Sequence, residues 1–300
     1  MSLGRQFSLL LTQTHRSYLR IVSPTLCSKV RISNSDCNRG FASAEKLVDV
    51  AVNEKTGIST VTMQRLPVNS LNLELIQELN KTFDSLEKDN SRGMILTSAS
   101  PTVFSAGLDI LEMYKPKPDR LKDFWASLQD MWLKLYGCSY PSVAAINGHS
   151  PAGGCLLALS CEYRVMVGPN YTIGLNETKL GIVAPKWFLY SMQNVLSTRE
   201  TELALTMGRM FSTDEALKIG LIDEVASDKQ DAVSKAEKFL IGMSKIPATA
   251  RKLTKLVCRE EALKWLTKNR EQDLQQFLHF VNLEAVQKGL HLYLEALKKK

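Results

Sequence analysis

Histidine is scarce in this chain, with four in 300 residues, and only His149 lies near a glycine-rich stretch, so no zinc centre is expected. The six cysteines, Cys27, Cys37, Cys138, Cys155, Cys161 and Cys258, form no Cys-x-x-Cys pair. That scatter argues against a metal cluster or a disulfide framework and for buried free thiols in a reducing compartment. No apolar run reaches the length that spans a bilayer, so no membrane span is expected. Neither Gly-x-x-x-x-Gly-Lys-Ser/Thr nor Gly-x-Gly-x-x-Gly occurs, which excludes the two familiar nucleotide-phosphate cradles. Acidic residues are almost missing from one end: residues 1–43 hold Arg5, Arg16, Arg20, Lys29, Arg31 and Arg39 against Asp36 alone.

That last absence locates the charge. Of the formal +7, +5 sits in this Ser- and Arg-rich segment, which has the composition of an organellar transit peptide. Its apolar stretch, residues 7–11, is too short for a bilayer, and the arginines beyond it do not fit a signal-peptide cleavage region. Residues 1–43 are therefore expected to be a mitochondrial leader, with the mature protein in the matrix. The +2 left for the rest gives no basic face, so no nucleic-acid partner is expected.

What is present is a hydrophobic content of 44%, enough for a large core. Residues 46–52 and 58–63 alternate apolar and polar around a turn at 53–57, which predicts a hairpin. Asn72 can cap a helix carrying Leu73, Ile76, Leu79, Phe83 and Leu86 at helical spacing. Strands are expected at 93–97, 143–146 and 163–167, and an amphipathic helix carries Leu121, Phe124, Trp125, Leu128, Met131, Trp132 and Leu135. Residues 171–181 read as a polar loop and 186–196 as a helix. From 198 onward the pattern is helical apart from a strand near 221–225. This alternation predicts an α/β fold, with a core over 44–200 and a helical lobe over 201–300. The lobe's stripes, Leu253, Leu256 and Val257 with Leu263 and Leu266, must pack on their own subunit or on another.

The chemistry concentrates in two small-residue loops. Residues 145–160, Ala-Ile-Asn-Gly-His-Ser-Pro-Ala-Gly-Gly-Cys-Leu-Leu-Ala-Leu-Ser, describe a strand, a tight turn and a helix N-terminus. Gly153 and Gly154 leave N–H groups uncovered at the positive end of the helix dipole, where negative charge can approach. The run from Gly148 to Gly153 is not a nucleophile elbow: its spacing is Gly-x-Ser-x-x-Gly, and Pro151 removes the N–H that an oxyanion needs. His149 reads as a packing or hydrogen-bonding residue of the turn rather than a second acid. The other loop, Phe104-Ser105-Ala106-Gly107-Leu108-Asp109, has the same design, a buried strand delivering the chain into a glycine turn. Two such loops can aim two backbone donors at one oxygen.

These motifs, in this order, resemble those of the crotonase (enoyl-CoA hydratase/isomerase) superfamily. The similarity extends over about residues 46–300 and includes Ala216-Leu-Lys-Ile-Gly-Leu-Ile-Asp223. The resemblance implies a spiral of strand-strand-helix units with a helical C-terminal lobe that assembles homotrimers or hexamers. It also implies an acyl-CoA thioester as substrate and an oxyanion hole formed by the amides of Leu108 and Gly153. Substrate binding would fall to Ala106, Gly107, Leu108, Asp109, Ile110, Gly153 and Asn176. No metal and no separate cofactor are implied, coenzyme A being part of the substrate.

Hydratases of the superfamily carry two glutamates, and the matching positions here are Leu156 and Glu177. Adding water needs one group to activate it and another to manage the proton at the α-carbon. Moving a proton between C2 and C4 needs only one base that takes it and returns it. The single-glutamate pattern is thus similar to that of the superfamily's isomerases. It implies conversion of cis- or trans-3-enoyl-CoA to trans-2-enoyl-CoA in the β-oxidation of unsaturated fatty acids, with Glu177 as base. Apolar neighbours such as Leu156 should raise the Glu177 pKa, and Asn176 should orient its loop. A hydratase and an RNA-binding, non-enzymatic relative are the alternatives, opposed by Leu156 and by the small residual charge respectively.

Overall fold

The alternation at the start of the core produces the expected hairpin: β1 (Val48–Asn53) and β2 (Ile58–Met63) pair antiparallel, with Val48 opposite Met63. The computed structural model describes residues 46–89 and 91–298, so the expected leader, Cys27 and Cys37 lie outside the described residues. Asn72 caps α1 (Leu73–Lys88) by accepting from the Leu75 N–H, and the helix buries Leu75, Ile76, Leu79 and Phe83. There follow β3 (Gly93–Ser98), α2 (Ile110–Met113), α3 (Pro118–Gly137), β4 (Ser142–Ile146), β5 (Ser150–Pro151), α4 (Gly153–Ser160), β6 (Tyr163–Val167) and β7 (Thr172–Gly174). A 3-10 turn (Glu177–Leu180) leads into α5 (Lys186–Gln193), α6 (Thr198–Met207), β8 (Phe211–Ser212), α7 (Thr213–Ile219) and β9 (Glu224–Ala226). The chain continues as α8 (Lys229–Met243), α9 (Ala248–Val281) and α10 (Glu284–Lys298).

The large sheet has the order β1-β2-β3-β4-β6-β9 and is parallel after its first pair; a small sheet has the order β5-β7-β8. The central strands are covered on both faces, which is why they read as unbroken apolar runs. Ile95, Val143, Ala145 and Val165 face α8, while Met94, Leu96, Ala144 and Ile146 join the main core with α1 and α3. Between a strand of the large sheet and its helix the chain makes a second short strand, as in β4-β5-α4 and in β6-β7 before α5. Val103 pairs in the same way with His149, and β5 with β7. These second strands stack, so successive units advance as a spiral. Their stacking brings residues 103–109, 149–153 and 172–177 to one place.

Two short-range expectations shift. Residues 171–181 are not all loop, because Ile173 pairs with Ser150 across the small sheet, a long-range partnership that leaves no period in three residues. The strand near 221–225 falls at Glu224–Ala226, while Leu221 and Ile222 are core residues of the preceding turn.

The first half of α9 reverses the expected stripe. Lys255 and Arg259 face inward, whereas Leu253 is 57% and Val257 74% exposed. The Arg259 guanidinium donates to the carbonyls of Tyr136, Ser160 and Cys161, satisfying the C-terminal ends of α3 and α4. Lys255 and Arg251 both bind the Glu162 carboxylate, at 3.0 and 2.6 Å. Helix-end chemistry therefore takes the inner face and leaves Leu253 and Val257 outside. Cys258 is also exposed, against expectation, while Cys138, Cys155 and Cys161 are buried free thiols.

Candidate active site

The first loop leaves β3 at Ser98 and is held from beneath by Asn69. The Asn69 amide donates to Ser98 Oγ (2.7 Å) and to the Phe104 carbonyl (3.2 Å). Ser105 Oγ donates to the Asn69 carbonyl (2.8 Å) and accepts the Gly107 N–H (3.2 Å). Ala106 gives its N–H to the Val68 carbonyl. Gly107, at φ +87°, then turns the chain so that its carbonyl accepts from Leu71 while Asp109 donates to the Leu71 carbonyl. In extended pairing successive N–H groups alternate sides, so the Leu108 N–H faces away from Leu71. Asp109 caps α2 by accepting the Leu111 N–H and pairs with Arg65 at 2.9 Å; Ile110 starts that helix, half-buried against the core.

The second loop leaves β4 through Asn147, whose side chain binds the Ser98 N–H and the Ser100 carbonyl. Ala152 donates to the Gly174 carbonyl (2.8 Å) and adopts φ +48°, ψ −120°, after which Gly153 opens α4. The first amides of a helix have no acceptor within it. Among the described residues neither Leu108 nor Gly153 gives its N–H to a protein acceptor. Their loops abut: a Cβ on Gly153 would lie 3.2 Å from the Leu108 nitrogen, and one on Gly154 would overlap the Ser105 carbonyl. Every residue of α4 is buried, so the positive end of its dipole acts in surroundings of low polarity.

The third element arrives through β7. Pairing of Pro151 with Gly174 fixes the strand beside the second loop, and three residues later Glu177 opens the 3-10 turn. The turn is clamped by Thr178 Oγ1 donating to the Leu205 carbonyl and by the Ile182 N–H donating to the Glu177 carbonyl. Glu177 is 6% exposed, and neither carboxylate oxygen has a hydrogen-bond partner. Burial pushes its pKa up to about 7. The Cys155 thiol is buried close enough for the Glu177 charge to add to the burial that raises its own pKa. A buried carboxyl titrating near neutrality can take a proton and give it back.

Asn176 is also buried, and both polar atoms of its side chain lack a partner. Leu156 is fully enclosed in the main core, so a carboxylate in its place would be buried too. His149 Nδ1 accepts the Thr172 N–H at 3.2 Å; a backbone amide only donates, so this nitrogen is unprotonated, and burial lowers the pKa of the ring. The ring is a neutral tie between the second loop and β7. Among the described residues no group of three His, Cys, Asp or Glu side chains could hold a metal ion, and no helix is long and apolar enough to cross a membrane.

Two free amides beside a neutral-range carboxyl form an arrangement for stabilising an enolate. Consistent with that geometry, residues 53–300 match the model of the enoyl-CoA hydratase/isomerase family. The chain belongs to this family. Within it, the chain is 48% identical over 259 residues to enoyl-CoA delta isomerase 1, mitochondrial, of Mus musculus, covering 86% of this chain and 89% of that one. It is 42% identical over 266 residues to the Homo sapiens protein of the same name, covering 88% and 87%. The crystal structure of human mitochondrial delta3-delta2-enoyl-CoA isomerase superimposes with a TM-score of 0.82 at 42% identity, over 84% of this chain and 98% of that one. The spiral is thus the crotonase fold of the enoyl-CoA hydratase/isomerase family.

Sequence reasoning missed Ala152 and Asn69. Nothing in an alanine announces a positive φ. Asn69, at φ +48°, does have a local signal, since asparagine tolerates left-handed backbone, but its loop carries no chemistry of its own.

Proposed function

We propose that this family member is an enoyl-CoA isomerase, moving the double bond of cis- or trans-3-enoyl-CoA to give trans-2-enoyl-CoA in the β-oxidation of unsaturated fatty acids. The observation that carries the reading is Glu177, buried and unpartnered, with its pKa raised to about 7, on a turn fixed beside the free amides of Leu108 and Gly153. The thioester oxygen sits between the two amides. Glu177 removes the C2 proton, charge moves onto the thioester oxygen, and the two donors hold it. The carboxylic acid so formed returns the proton at C4. Ala106, Gly107, Asp109, Ile110 and Asn176 shape the surface on which the substrate is held. The step needs no cofactor beyond the coenzyme A carried by the substrate.

Leu156 supports isomerisation over hydration, since a second carboxyl to activate water is missing from the position where hydratases of the family keep one. The acyl-CoA site belongs to residues 44–200. The exposed Leu253 and Val257 support assembly of the 201–300 lobe into a homotrimer or hexamer. The names of the mouse and human relatives, with the acid-poor leader, support a mitochondrial matrix location. The test is to incubate purified protein separately with 3-enoyl-CoA and trans-2-enoyl-CoA. Isomerisation of the first with little hydration of the second is expected. Hydration at a comparable rate would overturn the assignment.

A further inference from the structure

The two small-residue loops are tied to one residue, Ser98, at the end of β3. Its Oγ accepts the Asn69 amide at 2.7 Å and donates to the Val103 carbonyl at 2.7 Å, and its N–H donates to Asn147 Oδ1 at 3.2 Å. Asn69 in turn binds Phe104 and Ser105, and Ser105 Oγ takes the Gly107 N–H, so this branch leads to the Leu108 amide. The Asn147 branch leads through the second loop to Gly153 at the start of α4.

The Ser98 carbonyl is held from the layer of α8. Lys229, the first residue of that helix, donates from Nζ to this oxygen at 2.7 Å, where Asn147 Nδ2 adds a longer bond at 3.3 Å. A cation at the N-terminal end of a helix stands against the dipole, so its own helix does not favour it there. The acids of the same turn are engaged elsewhere. Asp228 caps α8 by accepting the Asp231 N–H, and Asp231 accepts the Ser227 N–H and pairs with Lys235 at 3.2 Å. Burial lowers the pKa of the Lys229 ammonium, as expected for a head drawn away from water onto a carbonyl. A surface lysine ordinarily keeps that head in water.

We infer that Lys229 is a positioning residue for the enolate-stabilising amides: it fixes the Ser98 carbonyl, and through Ser98 the two loops that carry the Leu108 and Gly153 N–H groups. The inference rests on the reading of those amides as an oxyanion hole. Lys229 acts through Ser98 and has no part in the proton transfer. The donors bind charge that develops only as the proton leaves C2, so displacing them lowers turnover more than substrate affinity.

The test compares the parent with K229M, which keeps an apolar stem and loses the donor, and K229R, which keeps a charged donor. Kinetics on 3-enoyl-CoA are read beside amide hydrogen exchange over residues 99–109 and 147–154, which needs no turnover. K229M is expected to lower kcat about tenfold with KM within about twofold, because the donors are displaced and not removed. Exchange should quicken in those two segments, and K229R should restore both readouts. A parent that does not turn over 3-enoyl-CoA would defeat the functional reading and leave exchange to decide the positioning role. Parent-like kcat or parent-like exchange in K229M, faster exchange spread through the whole chain, or a loss that K229R fails to restore would overturn the inference.

Discussion

Gly107 and Ala152, the residues that precede the two free amides, lie against each other: a Cβ on Gly107 would stand 2.9 Å from the Cβ of Ala152. Both have positive φ, +87° and +48°. Each turn swings the following N–H into the shared space, and the contact between the turns sets how far apart the donors stand. The oxyanion geometry is therefore a property of the pair of loops.

Gly107→Ala should consequently reduce kcat without unfolding the protein. The new methyl meets Ala152 and strains a positive φ, displacing the Leu108 donor. Loss of one such donor lowers kcat about 10²- to 10³-fold. Steady-state rates on 3-enoyl-CoA, with circular dichroism as the control for fold, check this expectation.

The pH dependence follows from Glu177. Its carboxyl titrates near 7, and only the ionised form accepts a proton, so kcat/KM should rise with pH through about 7 and then level off. Stability should run the other way. A carboxyl whose folded pKa lies above its unfolded value binds more protons in the native state, so its contribution is lost as pH rises through the folded pKa. Glu177→Gln should thus be more stable than the parent at pH 8, by an amount on the order of 3 kcal/mol, with the gain gone by pH 4. Urea unfolding at the two pH values measures the difference.

Arg259 should matter to stability far more than an ordinary surface arginine. Arg259→Ala leaves the carbonyls of Tyr136 and Ser160 without its guanidinium donor, leaves that of Cys161 to Arg164 alone, and removes the cation over the Tyr136 ring at 4.1 Å. A loss of about 3 kcal/mol is expected in chemical denaturation.

Leu253 and Val257 offer a test of assembly. Placing aspartate at both should leave the fold intact, because neither side chain is packed within the subunit, and should lower the solution mass to that of one chain. Light scattering on parent and double variant decides it, the parent being expected at three or more chains.

Much of this was legible in the sequence, for identifiable reasons. The hairpin, α1 and the central strands carried complete apolar periods, and the two glycine loops advertised their turns. Where partners lay far away, the signal failed. Strand β7 exists because Ile173 meets Ser150, and the inner face of α9 is charged because Arg259 reaches three carbonyls on other helices. In the site, Leu108, Gly153 and Glu177 were readable as residues, but their convergence depends on the stacking of short second strands. The isolation of Glu177, which sets its pKa, is visible only once the chain is folded.

The central claim is that Glu177 alone carries the proton, and the most direct measurement is the turnover of 3-enoyl-CoA by Glu177→Gln at pH 8. Positioned acid–base groups contribute about 10²- to 10⁴-fold, and one group doing both halves of the transfer belongs at the upper end. The expected result is a kcat at least 10³-fold below the parent, with affinity for a saturated acyl-CoA unchanged. A variant that retains activity within tenfold of the parent would contradict the account.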